Sequence, residues 1–211
     1  MPGSFGRRVL YRVVRRLCWT YLKLHNRFRV VGKENLPSNY PVIVAANHTS
    51  NLDPVVVALA FPRRLRPLAK EELFQIHPAF TWLLDKLGAL PLSRQTDAAS
   101  SKALRHFMGL LDEGEELMIF PEGARSLDGR LMEIEGGAAL VSVSRGVPIV
   151  PLYVAGTFEA MPVGAETIGR HPITVYVGHM IWPGGKGREE RERVRLALQK
   201  ELERLQELAI G

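Results

Sequence analysis

The strongest constraint on this chain is an alternation. Short runs rich in branched apolar residues take turns with stretches whose apolar residues recur at helical spacing. The β-type runs are Phe28 to Val31, Val42 to Ala46, Leu65 to Ala69, Leu90 to Leu92, Leu117 to Phe120, Ile149 to Val154 and Ile173 to Val177. Between and after them the pattern predicts helices at Pro54 to Ala60, Leu73 to Leu87, Ala98 to Asp112, Gly137 to Ser144 and Arg188 to Leu208. Strand and helix in turn predict an α/β fold, a single domain with a mostly parallel sheet covered by helices. With 211 residues and no composition shift in the middle, one compact domain over residues 27–211 is expected, preceded by an appendage at residues 1–26.

Charge sets that appendage apart. Residues 1–33 carry nine Lys or Arg and no Asp or Glu, although the whole chain is only +6, so the remainder is net acidic. Within the arm, apolar or aromatic pairs recur every four residues at Val9/Leu10, Val13/Val14, Leu17/Cys18 and Tyr21/Leu22, with arginines between them. This is the pattern of a basic amphipathic helix lying on an anionic membrane surface, with Tyr11, Trp19 and Tyr21 near the boundary. The alternative is a helix that packs on the domain and turns a solvated basic face outward. Nucleic acid is not expected as a partner, because outside the arm the chain is net acidic and carries no recognised reading motif.

No apolar run approaches the roughly 18–20 residues of a spanning helix, and arginines interrupt what would be the core of a signal peptide. Cys18 is the only cysteine, which excludes an intrachain disulfide. These features predict a peripheral or monotopic protein on the cytoplasmic face of a membrane. The six histidines are scattered without metal-ligand spacing, so no metal is expected.

Two segments place reactive residues directly after buried-strand runs, where open α/β sheets bind ligands. In Asn47-His48-Thr49-Ser50-Asn51-Leu52-Asp53-Pro54, His48 and Asp53 are five apart. On one helix they would sit about 140° from each other. Only a turn between them lets Asp53 reach one imidazole nitrogen while the other faces a substrate, the arrangement of a general base and its orienting group. The competing reading makes Asp53-Pro54 simply a helix start. In Phe120-Pro121-Glu122-Gly123-Ala124-Arg125-Ser126, Gly123 allows close approach of backbone to a ligand, and the Arg125 guanidinium matches phosphate oxygens.

These two segments resemble the first and third signature blocks of the glycerolipid acyltransferase family, typified by lysophosphatidic acid acyltransferases. Gly88-Ala89-Leu90-Pro91-Leu92-Ser93-Arg94 resembles the second block, and Val147-Pro148-Ile149-Val150-Pro151 the fourth, in the family's order. The likeness runs from about residue 30 to about residue 155. It implies His48 as general base with Asp53 as its partner, and Arg94, Glu122, Gly123, Arg125 and Lys70 in the site for the acceptor's phosphate. One departure stands out: Met132-Glu133-Ile134-Glu135 carries acid where family members often have lysine.

The expectation is therefore transfer of a fatty acyl group from acyl-CoA or acyl carrier protein to the hydroxyl of a lysophospholipid. The first choice of acceptor is 1-acylglycerol-3-phosphate, giving phosphatidic acid by direct general-base catalysis without a cofactor. The alternatives are another lysolipid or amino-lipid acceptor, a non-catalytic membrane-binding protein of the same fold, and a hydrolase using the same His-Asp pair. Donor carrier, chain length and oligomeric state are not set by the sequence.

Overall fold

The computed structural model describes residues 4–37, 39–70, 90–92 and 97–211. In chain order its elements are α1 (Ser4–His25), β1 (Arg29–Val31), a 3₁₀ turn (Lys33–Asn35), β2 (Ile43–Ala46), α2 (Asp53–Ala60), β3 (Leu65–Lys70) and β4 (Leu90–Leu92). There follow α3 (Asp97–Asp112), β5 (Glu116–Ile119), α4 (Gly137–Arg145), β6 (Ile149–Ala155), the one-turn α5 (Thr157–Ala160), β7 (Thr174–Val177) and α6 (Arg188–Ile210). Every expected strand is present, shifted by at most one residue at either end. The helix expected at Leu73 to Leu87 lies outside the described residues.

The seven strands form one sheet in the order β1-β7-β6-β2-β5-β3-β4. Strands β6, β2, β5, β3 and β4 are mutually parallel, as branched, two-side-buried runs require. Strand β7 pairs antiparallel with β6, Tyr153 opposite Tyr176, and β1 runs parallel to β7 with Val30 opposite Val175. The sheet is thus mixed but mostly parallel. One consequence governs the site: the carboxyl ends of β2, β3, β5 and β6 share an edge with the amino ends of β7 and β1.

Side-chain alternation along the central strand divides the core in two. Val42, Val44 and Ala46 pack with α2, Leu22, Val150, Leu152, Val154 and Val175 on one face. Ile43 and Ala45 pack with α3, α4 and α6 on the other, through Phe107, Ala138, Val141, Leu198 and Leu202. Both faces are dry, so helices must cover both.

Helix α1 belongs to the first layer. Leu22 is fully buried and Cys18 packs beside it. The Arg15 guanidinium donates to the carbonyls of Leu59, Phe61 and Pro62 at 3.2, 2.6 and 3.2 Å, supplying donors to the carboxyl end of α2, where carbonyls lack helical partners. Val13, Leu17, Tyr21 and Leu24 are exposed, and at 100° per residue they fall within about 80° of one another, roughly opposite Leu22. The packing reading of the arm is thus realised on one face of the helix, while another face carries an exposed apolar stripe. No helix among the described residues is long and apolar enough to cross a membrane.

Candidate active site

Strand β2 ends at Ala46, yet its alignment with β6 continues one residue further through a side chain. The buried Asn47 amide donates to the Val154 carbonyl at 3.0 Å and its oxygen accepts from the Val154 N–H at 2.6 Å, imitating a peptide group. The chain then turns: the Asp53 N–H donates to the Ser50 carbonyl at 3.2 Å. Ser50 Oγ accepts from the Leu52 N–H at 3.1 Å and donates to the Met161 carbonyl at 2.6 Å, tying the turn to the segment after α5. Five residues of separation are closed by this turn.

Asp53 opens α2, but its carboxylate reaches back over the turn instead of capping the helix. Oδ2 accepts from His48 Nδ1 at 2.9 Å and from the Thr49 and Ser50 N–H groups at 2.7 Å each. Oδ1 accepts from the Thr157 hydroxyl at 2.6 Å. A fully buried carboxylate with four donors is fixed and solvated by protein, which offsets the cost of burying its charge. Its bond to Nδ1 selects the tautomer with the proton on Nδ1 and the lone pair on Nε2. The imidazole stacks on Phe120, with centroids 4.0 Å apart and planes at 20°, so its orientation is held from a second direction. At 18% exposure the ring is open to an incoming molecule while Asp53 is not.

The loop after β5 is fastened to the same turn. Glu122 Oε1 accepts the His48 N–H at 2.6 Å and Oε2 accepts the Met132 N–H at 2.8 Å, while the Ser126 N–H donates to the His48 carbonyl at 2.8 Å. Burial pushes the Glu122 carboxyl up from 4.5 to about 7, against the lowering effect of those two amides, with the nearby Asp53 charge adding to the rise. Gly123 has φ +71°, a left-handed conformation that side chains disfavour. Arg125 donates to the Asn51 side-chain oxygen at 2.7 Å, bringing its guanidinium beside the His48 turn. One face of the site is thus a hydrogen-bonded pair of loops.

His48, Asp53, Glu122, Gly123 and Arg125 are brought together as the sequence suggests, with Glu122 accepting a backbone amide at each carboxylate oxygen and so tying the two loops together. Lys70 is the last residue of β3 and lies on the same edge, two strand positions from β2. Arg94 lies outside the described residues. Glu133, the departure from the family pattern, points outward, 3.8 Å from Arg195 of α6. Sequence reasoning missed Asn47, Ser50, Phe120 and Thr157 as parts of the site. A signal existed for Thr157, since Gly156-Thr157 follows β6 at a strand's carboxyl end.

A half-open imidazole backed by a buried carboxylate, at the carboxyl edge of a parallel sheet, has the geometry with which a histidine can take a proton from a hydroxyl or water. Residues 27–155 match the Acyltransferase family, and the chain belongs to it. It is 33% identical over 168 residues to a chloroplastic 1-acyl-sn-glycerol-3-phosphate acyltransferase of Brassica napus, covering 78% of this chain and 48% of that protein. A chloroplastic relative of the same name from Arabidopsis thaliana is 33% identical over 85% of this chain and 51% of its own length. The chain thus spans about half the length of these curated relatives. The crystal structure of the 1-acyl-sn-glycerophosphate acyltransferase PlsC from Thermotoga maritima is similar with a TM-score of 0.76 at 27% identity, over 95% of this chain and 81% of that one.

Proposed function

We propose that this protein transfers a fatty acyl group from an acyl-CoA or acyl carrier protein thioester to the free hydroxyl of 1-acylglycerol-3-phosphate, giving phosphatidic acid. The observation that carries the reading is the 2.9 Å bond from His48 Nδ1 to Asp53, which leaves the lone pair on Nε2 of a ring that is 18% exposed. Nε2 takes the proton of the acceptor hydroxyl as its oxygen attacks the thioester carbonyl. Asp53 stabilises the imidazolium that forms. When the tetrahedral intermediate collapses, the carbon–sulfur bond breaks and the imidazolium returns its proton to the thiolate. Thioester and alcohol become ester and thiol, with no acyl-enzyme and no cofactor.

The acceptor's phosphate is assigned to the Arg125 side of the site. Its bond to Asn51 uses one guanidinium N–H and leaves others for phosphate oxygens. Gly123 lets backbone approach the same oxygens, and Lys70, at the end of β3, and Arg94 are proposed as further cationic contributors. Glu122 positions His48 and the loop. The basic arm and the exposed stripe of α1 support a peripheral location on the cytoplasmic face, where anionic lipid attracts basic segments.

Labelled acyl-CoA and acyl carrier protein, offered with a panel of lysolipids, test the reading. Acylated 1-acylglycerol-3-phosphate as the dominant product is expected. A preference for an amino-lipid or other lysolipid would move the acceptor, free fatty acid would make the protein a hydrolase, and no turnover would leave a binding protein.

A further inference from the structure

A cavity of about 410 Å³ lies apart from His48, between the end of α1 and the segment that leads into β7. Leu24, His25, Arg27, Arg170 and His171 line it, and Asn26 forms its floor. It opens on the catalytic edge, because β1 and β7 run against the other strands. From β2 to β1 is three strand positions, roughly 14 Å at about 4.8 Å per strand. No family block reaches it, and the reaction as written does not use it.

The walls are built and held. The fully buried Asn26 donates through Nδ2 to the carbonyls of Gly169 and His171, at 2.9 Å each, and its Oδ1 lies 3.1 Å from His25 Nδ1. The Ile173 N–H closes back on the Asn26 carbonyl at 2.9 Å. Gly156, beside the active-site Thr157, has no room for a Cβ because the Pro172 carbonyl fills that space. Arg27 is the only described non-glycine residue with positive φ, at +50°, a conformation that occurs where surrounding structure imposes it. Arg27 and Arg170 are both exposed and line the same cavity, and among the described residues no carboxylate lies within ion-pair distance of either. Two unpaired guanidinium groups in one concave site suit a phosphate.

What stands beside the cavity identifies the phosphate's carrier. Leu24 is 75% exposed at its rim, and Leu17 and Tyr21 continue the apolar stripe down α1, with Tyr21 stacked on His25. A molecule with a phosphate at one end and hydrocarbon next to it matches this sequence of surfaces. We propose that the cavity binds the headgroup phosphate of an anionic bilayer glycerophospholipid through Arg27 and Arg170, with the lipid's chains along Leu24, Tyr21 and Leu17. The site anchors the catalytic edge at the bilayer and is separate from the acceptor site beside His48. Binding is read without either substrate, so the proposal stands independently of the acyltransfer reading.

The test is sedimentation of the full chain with phosphatidylcholine vesicles, with and without phosphatidylglycerol, which is neither substrate nor product of the proposed reaction, comparing the parent with the double variant Arg27→Gly/Arg170→Ala. Glycine keeps the left-handed backbone at Arg27 while removing its charge. The control is Lys186→Ala/Lys200→Ala, which removes two exposed charges near and on α6, across the sheet from α1. Each cavity charge lost should weaken binding to the phosphatidylglycerol vesicles roughly fivefold. The double variant should therefore lose an order of magnitude or more, and the control little. Activity on substrates dispersed in detergent should be unchanged. Equal vesicle binding by parent and cavity variant would overturn the proposal, and so would an equal loss in the control. A raised KM for acyl-CoA with vesicle binding intact would overturn it as well, reassigning the cavity to the donor's phosphates.

Discussion

At the scale of single residues, the groups that hold the proposed base are also held by one another. Replacing His48 by Ala removes the proton acceptor but leaves Asp53 with the Thr49 and Ser50 amides and the Thr157 hydroxyl. His48→Ala should therefore fold normally, by circular dichroism, while turnover drops about 10² to 10⁴-fold, the usual loss of a general base. More than a tenth of parental activity would exclude His48 from that role. Arg125→Ala should chiefly raise KM for the phosphate-bearing acceptor, with Lys restoring only part, since a point charge lacks the guanidinium fork; kinetics varying each substrate separately will show it. Glu122 makes a pH prediction. Its pKa of about 7 in the fold exceeds its ordinary 4.5, so the native state keeps a proton that the unfolded chain releases. The stabilisation is full below pH 4.5 and is lost as pH rises through about 7, on the order of 3 kcal/mol at about 1.4 per pH unit. Melting temperatures of the parent should fall across that window more than those of Glu122→Gln, and parallel curves would refute the shift. His48, Asp53 and Arg125 were legible in the sequence because each follows a strand-like run within a few residues. Asn47 and Thr157 also follow strand runs, but what they do there was not legible, because their partners lie more than a hundred residues away.

At the scale of elements, α1 shows why a helix can answer two descriptions. Its outward stripe has the pattern of an interfacial helix, and its inward side closes the core. Removing residues 1–25 would strip Leu22 from the core and the Arg15 donors from the end of α2, confounding a membrane effect with instability. Substitution separates the two. Val13→Ser/Leu17→Ser should reduce sedimentation with anionic vesicles while leaving the melting temperature unchanged. Arg15→Ala should cost about 1–3 kcal/mol, lowering the melting temperature by roughly 2–4 °C per kcal/mol, with vesicle binding affected far less. A fall in melting temperature from the serine pair would show that the stripe is part of the core. The strands were legible because branched runs of four to seven residues are local signals. Their directions were not: nothing in Ile173 to Val177 says that it pairs against β6 instead of along it, since register and direction are set by the chain's path around α5 and the long segment that follows.

At the scale of the whole molecule, the central position of β2 collects the site from distant parts of the chain. The His48 turn, the Glu122 loop and Thr157 converge because β5 and β6 flank β2 on either side. The fold class could be read from alternation, while this convergence depends on strand order, which alternation does not contain. The edge strand β1 adds a temporal consequence. Its sheet partner is β7, with Arg29 opposite Thr174, so one of the earliest strands made is completed by the last. Until β7 exists, the core layer that receives Leu22 is incomplete, although α2 is already present for α1 to pack against. Closing so long a loop is entropically costly and comes late in folding. Pulse-labelled hydrogen exchange during refolding should find the amides of β2, β5 and β6 protected first and those of β1 last; simultaneous protection would refute this order. A ribosome therefore presents the amphipathic helix to its surroundings well before there is an active site to deliver, and the newly made chain passes through an interval in which its affinity for apolar surfaces exceeds that of the finished protein.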